Sequence, residues 1–178
     1  MVIGLLGAII LAKKGIRPEA VLNSIHASSP SKRFHDSQFG VTFQYPKEWE
    51  QQYVSPNIVL FSGKNVTMTL VLSRRKEAET LEQFTKKNSE EIIESSRNAG
   101  FVVDMEQARP LLLSSLPAQK ISYHTKKEGV LIDGIQVWTV EKKMEYIITF
   151  AAPSEQFGAA VQTFDNVLQS VRISPGKE

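Results

Sequence analysis

Residues 118–171, AQKISYHTKKEGVLIDGIQVWTVEKKMEYIITFAAPSEQFGAAVQTFDNVLQSV, decide the fold. Ala118 to Thr125, Leu131 to Val140 and Met144 to Ala151 are three runs of strand length rich in β-branched and aromatic residues. Glu128-Gly129 marks a turn between the first two. Glu141-Lys142-Lys143 is a tight polar interruption between the last two, so these should form an antiparallel hairpin. Asp133-Gly134 interrupts the middle run and is read as a bulge or turn. After Pro153 the apolar period changes. Phe157, Ala160, Val161, Phe164, Leu168 and Val171 fall on one helical face, with Ser154 read as the N-cap.

Upstream, the same logic predicts a second helix. Thr80 and Gln83 have capping-box spacing, Leu81, Phe84, Ile92 and Ala99 form the apolar stripe, and Gly100 stands at the expected C-terminal stop. Glu82, Lys86, Lys87, Glu90, Glu91, Glu94 and Arg97 occupy the remaining, solvated face. Val41 to Tyr45 alternates at period two and stops at Pro46; Ile58 to Phe61 and Val66 to Leu72 read as two more strands. In the last of these, Val66, Met68, Leu70 and Leu72 share one face, with Thr67, Thr69 and Val71 on the other. Phe101 to Val103 starts a further strand, and Met105 to Leu113 is apolar but ambiguous around Pro110. Consecutive strands with two separated helices give an α+β class, a mostly antiparallel sheet flanked by helices.

Composition narrows the function classes. With 42% hydrophobic and 22% charged residues in 178, the chain buries a core and is not intrinsically disordered. Its 21 basic and 19 acidic residues leave a net charge of +2, so no global field steers it to nucleic acid. The absence of cysteine removes disulfides, Cys-ligated zinc, thiol nucleophiles and a lipid-modified cysteine. Residues 1–14 form an apolar N-terminal segment in which Met1 to Ala12 carries no charge before Lys13-Lys14. Twelve helical residues span about 18 Å, short of a roughly 30 Å hydrocarbon core. Three readings stand: a signal or anchor segment, a helix packed on its own domain or a partner, or an interfacial anchor. Each but the second brings residues 1–12 near a membrane. Residues 15–33, with Pro18, Pro30 and Ala27-Ser28-Ser29, read as a linker, and residues 34–174 as the domain.

Phe34-His35-Asp36-Ser37-Gln38-Phe39-Gly40, the strand ending at Tyr45-Pro46, and Trp49 resemble the opening of PsbP-like domains. Asn57 to Phe61, the helix from Thr80-Leu81-Glu82-Gln83-Phe84, Tyr146 to Ala152 and the Phe157/Phe164 helix follow in the same order, so the similarity covers residues 34 to 173. The resemblance implies a PsbP-like α/β/α sandwich, the fold of photosystem II extrinsic subunits and of a Ran-binding nuclear import factor. It also implies a non-enzymatic binding or assembly protein, with no cofactor. Its partner would be a protein, a membrane protein complex first, at an extracytoplasmic or membrane-associated site. A photosystem II-like role lies within that implication. A soluble cytosolic binding module of the same fold is the alternative, and a cryptic hydrolase a distant third.

The residues themselves nominate little chemistry. No G-x-S-x-G, P-loop or G-x-G-x-x-G occurs. His26, His35 and His124 lack the spacing of converging metal ligands, so a bound metal ion finds no support; Asp104 with Glu106 is too sparse for a calcium loop. Tyr45-Pro46 with Trp49 reads as a strand end packed into the core rather than a contact surface. Four basic clusters remain: Arg74-Arg75-Lys76, Lys86-Lys87, Lys126-Lys127 and Lys142-Lys143. Arg74, Arg75, Lys126, Lys127, Lys142 and Lys143 are the candidate partner-contact residues, against a plain mixed-charge surface interleaved with Glu77, Glu79, Glu128, Glu141 and Glu145.

Overall fold

The computed structural model describes residues 30–174. Residues 1–29 lie outside them, and with them the apolar segment, most of the 15–33 stretch and His26. Eleven strands and two helices follow in the described residues: β1 (Ser31–Asp36), β2 (Val41–Pro46), β3 (Glu50–Ser55), β4 (Ile58–Ser62), β5 (Thr67–Arg74), α1 (Leu81–Asn98), β6 (Val102–Met105), β7 (Arg109–Leu113), β8 (Leu116–Lys127), β9 (Val130–Glu141), β10 (Met144–Pro153), α2 (Ser154–Ser170) and β11 (Arg172–Ile173). β1 reaches back to Ser31, so the last three residues of the 15–33 stretch pair with β2.

All pairings are antiparallel. An eight-stranded sheet runs β3-β4-β5-β10-β9-β8-β6, with β7 also on β8, and a small sheet runs β1-β2-β11. One face of the large sheet carries α1. The other carries α2 and the small sheet, which gives an α+β sandwich. β5 shows the two faces as its alternation predicts: Met68, Leu70 and Leu72 enter the core beneath α2 and Val71 the core beneath α1.

The α2-side core is aromatic. Phe34 and Phe43 stack at 4.9 Å, Phe61 meets Phe43 at 5.4 Å and Tyr45 at 4.8 Å, and Phe150 stacks on Phe164 at 4.8 Å. Trp49 is buried and stacks on Phe150, the core position its sequence context implies. Burying each such side chain is worth about 1.5–3 kcal/mol, and well-placed ring pairs add about 0.5–1.5 kcal/mol. On α2, Phe164 and Val167 are buried, with Phe157, Ala160, Val161 and Leu168 packed at the margin.

α1 is fixed at both ends by its own sequence. The Gln83 N–H donates to Thr80 Oγ1 at 3.2 Å while the Thr80 N–H donates to Gln83 Oε1 at 3.0 Å, a complete capping box. At the far end the Gly100 N–H donates to the Arg97 carbonyl and the Phe101 N–H to Ser96, with Gly100 at φ +77°, where a Cβ is disfavoured. Beneath the helix, Phe84 and Ile92 bury against Trp138 and Ile147. A buried polar chain sets its position. Asn88 Nδ2 donates to Gln136 Oε1 at 2.6 Å, Gln136 Nε2 donates to Thr149 Oγ1 at 2.9 Å, and Trp138 Nε1 donates to Thr85 Oγ1 at 3.0 Å.

Two local expectations are corrected. Asp133-Gly134 is neither bulge nor turn, because β9 pairs without a shift from Val130 to Glu141. Gly134 is needed for space: Tyr123 lies opposite it on β8, and a Cβ at 134 would fall 2.1 Å from the Tyr123 ring. Ser154 is not an N-cap. It is the first residue of α2, Pro153 precedes it, and the Ser154 hydroxyl donates to Asp133 Oδ1 at 2.7 Å.

Candidate functional site

The six candidate contact residues divide between the two ends of the large sheet. β5 ends at Arg74, which pairs with Met144 at the start of β10. The two-residue loop Lys142-Lys143 joins β9 to β10 beside it, with Lys142 at φ +56°, and the Arg75 N–H donates to the Lys143 carbonyl at 2.8 Å. The fold therefore gathers Arg74, Arg75, Lys142 and Lys143 at one end. Lys126 and Lys127 close β8, opposite Leu131 and Val130. Leu131 and Glu141 stand ten positions apart along β9, about 33 Å of strand. A single six-residue patch does not form.

Their side chains differ in exposure. Arg75 turns inward, pairing with Glu145, lying 3.6 Å from Glu79 and reaching over the Phe84 ring at 5.9 Å. Burial pushes the Glu145 carboxyl up from its usual range, and the Arg75 hydrogen bond and charge oppose that rise. Arg75 is thus a buttress of the end, and Arg74, Lys142 and Lys143 are its exposed cations, joined by Lys76. At the opposite end Lys127 Nζ donates to the Ala99 carbonyl at 2.8 Å and lies 5.2 Å from the Phe101 ring centre, so it closes the C-terminus of α1. Lys126 remains exposed, in a cross-strand row between Val102 and Leu131.

One cluster contains the residue types of a hydrolase. His124 Nδ1 lies 2.8 Å from Asp133 Oδ1, the same oxygen that accepts from Ser154, and Asp104 on β6 stands opposite His124 on β8. The hydrogen bond to Asp133 raises the imidazole above its ordinary pKa, helped by the charges of Asp133, Asp104 and Glu106 and opposed by slight burial. The order is wrong for nucleophilic catalysis. A triad needs the imidazole between hydroxyl and carboxylate to take the hydroxyl proton; here Asp133 stands in the middle and receives from both sides. His35 bonds to the Thr42 hydroxyl at 2.9 Å. Among the described residues no group of three or more His, Asp or Glu side chains is placed to hold a metal ion.

A groove of about 570 Å³ opens between the first turns of α1 and the β6–β7 connection. It is lined mainly by apolar surface, with Leu81, Thr85, Lys86, Ala108 and Gln119 among its walls. No helix among the described residues is long and apolar enough to cross a membrane.

No family model and no curated protein matches the chain. Solved structures do. The solution structure of cyanobacterial PsbP (CyanoP) from Synechocystis sp. PCC 6803 is similar with a TM-score of 0.68 at 14% identity, over 87% of this chain and 98% of that one. The Saccharomyces cerevisiae Ran-binding protein Mog1p is similar with a TM-score of 0.54 at 8% identity, over 82% of this chain and 96% of that one. LpqN, involved in cell envelope biogenesis of Mycobacterium tuberculosis, gives 0.50 at 11% identity, over 85% and 89%. The chain has the PsbP-like fold, shared with Mog1p.

Proposed function

We propose that this protein is a non-enzymatic binding or assembly module that docks extrinsically on a membrane protein complex, on its extracytoplasmic side. The observation that carries the reading is the extent of the likeness: it covers 98% of CyanoP and 87% of this chain. LpqN, named for cell envelope biogenesis, favours the same side of the membrane. The wiring of Ser154, Asp133 and His124 supports a binding role, because it leaves the serine without a base. Arg74, Lys142 and Lys143 are the contact residues for an acidic surface of the partner. Three exposed cations on a strand end and a tight hairpin are held in fixed relation, which favours steering and register over raw affinity.

The test is membrane co-sedimentation from the native host, comparing the wild-type chain with the triple variant Arg74→Glu, Lys142→Glu, Lys143→Glu. The variant should leave the membrane fraction at lower salt while keeping its unfolding midpoint. Equal retention at every salt concentration would remove this end of the sheet from the contact. A second reading rests on the likeness to Mog1p, a Ran-binding protein: a soluble module for a GTPase-like cytosolic partner. Recovery of the protein entirely in the cytosolic fraction would favour it.

A further inference from the structure

The two edges of the large sheet are not equivalent. On the β8 side the edge is divided between β6, four residues long, and β7, which opens with Arg109-Pro110. Proline offers no N–H, and short split strands give a partner little to pair with. On the other side stands β3, EQQYVS, which among the described residues pairs with β4 alone. It contains neither proline nor lysine. Glu50 to Tyr53 run in unbroken register against Glu50↔Ser62, Gln51↔Phe61, Gln52↔Leu60 and Tyr53↔Val59; the shift comes only after Tyr53, where Val54 is the extra residue. Every residue from Glu50 to Val54 is exposed, Tyr53 at 55% and Val54 at 48%.

We infer that β3 is a strand-addition site that takes an extended segment of a partner protein as a ninth strand of the sheet. Alternate backbone N–H and C=O groups of Glu50–Tyr53 face away from β4, and an extended backbone supplies matching groups at the same spacing. Side chains give direction to the choice. Gln51 and Tyr53 share the face of Phe61 and Val59, where Gln51 Oε1 accepts from the Tyr45 hydroxyl at 3.1 Å, so this face is held in place. Glu50 and Gln52 share the opposite face. The added strand therefore carries an aromatic or β-branched residue beside Tyr53 and no acidic residue beside Glu50. A second copy of the chain fits less well. Four paired residues a side are a small part of the roughly 20–30 a side of a stable protein interface, whereas a short extended peptide needs no more.

The site is distinct from the basic end, and the two can fail separately. The probe is a phage-displayed library of linear dodecapeptides selected on the full chain, with enriched peptides followed by backbone amide exchange in NMR. Peptides with two-residue apolar alternation should be enriched and should protect amides of Glu50–Tyr53. Successive N–H groups alternate between β4 and solvent, so of the variants Gln51→Pro and Gln52→Pro one removes an outward donor and the other an inward one. The outward-donor variant should weaken binding at least tenfold at an unchanged melting temperature. The Arg74→Glu, Lys142→Glu, Lys143→Glu chain should bind as wild type. No enriched peptide, protection at another surface, or self-association of the chain through β3 would each overturn the inference.

Discussion

The pairing of Tyr123 with Gly134 makes a quantitative prediction about the sheet. Tyr123 is fully buried and lies across Gly134 on the α1 side; a methyl at 134 would sit 2.1 Å from Cζ and 2.4 Å from the hydroxyl. Carbon atoms pack at about 3.5–4.0 Å, so the ring must move by roughly 1.5 Å in a closed core. Overpacking of that kind costs about 1–3 kcal/mol, which for a domain of this size lowers the melting point by about 2–4 °C per kcal/mol. The Tyr123 hydroxyl has no hydrogen-bond partner among the described residues, and burial pushes its pKa far above the ordinary phenol range. A buried unpaired hydroxyl costs about 1–3 kcal/mol, so Tyr123→Phe should leave stability unchanged or raise it by about 1 kcal/mol. Gly134→Ala should destabilise by about 1–3 kcal/mol. In a Tyr123→Leu background, which removes the outer ring atoms, the same Gly134→Ala change should be close to neutral, giving a coupling energy above about 1 kcal/mol. Urea unfolding followed by fluorescence of the buried Trp49 and Trp138 reads all five chains, wild type included. Additive effects, or a Tyr123→Phe variant that loses more than about 1 kcal/mol, would refute the packing argument.

Thr80→Ala removes one half of the capping box and should cost about 1 kcal/mol, read by urea denaturation, with Thr80→Ser recovering most of it. Arg75→Ala leaves Glu145 buried beside a lost partner and should cost about 3 kcal/mol at neutral pH, the lower part of the range for broken buried pairs because Arg75 is partly exposed. The folded Glu145 pKa is already raised, so its contribution is most favourable below the unfolded carboxyl pKa and falls as pH rises; the Arg75→Ala deficit should therefore shrink toward pH 4. His124 has a raised folded pKa, so its pairing with Asp133 stabilises fully below the unfolded imidazole pKa and is lost as pH rises through the folded value. The stability gap between wild type and His124→Ala should be wider at pH 5 than at pH 8.5.

Much of the fold is written in local pattern. The capping box at Thr80, the glycine stop at Gly100, the alternation of Met68, Leu70 and Leu72, and the Phe157-to-Val171 stripe each depend on neighbours within a few residues, and each stands where the spacing puts it. The elements that escaped have weak local signals. In β3, EQQYVS, all but the last residue is exposed, so no apolar alternation marks the strand. β1 turns only Phe34 fully into the core, and its polar remainder reads as loop. Ser154 has the composition and place of a cap, yet Asp133, 21 residues earlier in the chain, takes its hydroxyl. Gly134 resembles a strand breaker until the register sets Tyr123 over it. The arrangement of the contact residues was hidden in the same way. Basic pairs are visible in the sequence, but their distribution over two sheet ends, and the diversion of Arg75 and Lys127 to Glu145 and Ala99, follow from strand register and helix position.

The proposed function has this domain hold a membrane protein complex through the Arg74/Lys142/Lys143 end of its sheet. The most direct measurement places a photo-crosslinking amino acid at Lys143 in the native host and identifies the adducts in separated membrane and cytosolic fractions by mass spectrometry. A discrete adduct with one subunit of a membrane complex should form, on its extracytoplasmic side, and be lost in the Arg74→Glu, Lys142→Glu background. An adduct found only with a soluble cytosolic protein, or none in the membrane fraction, would contradict it.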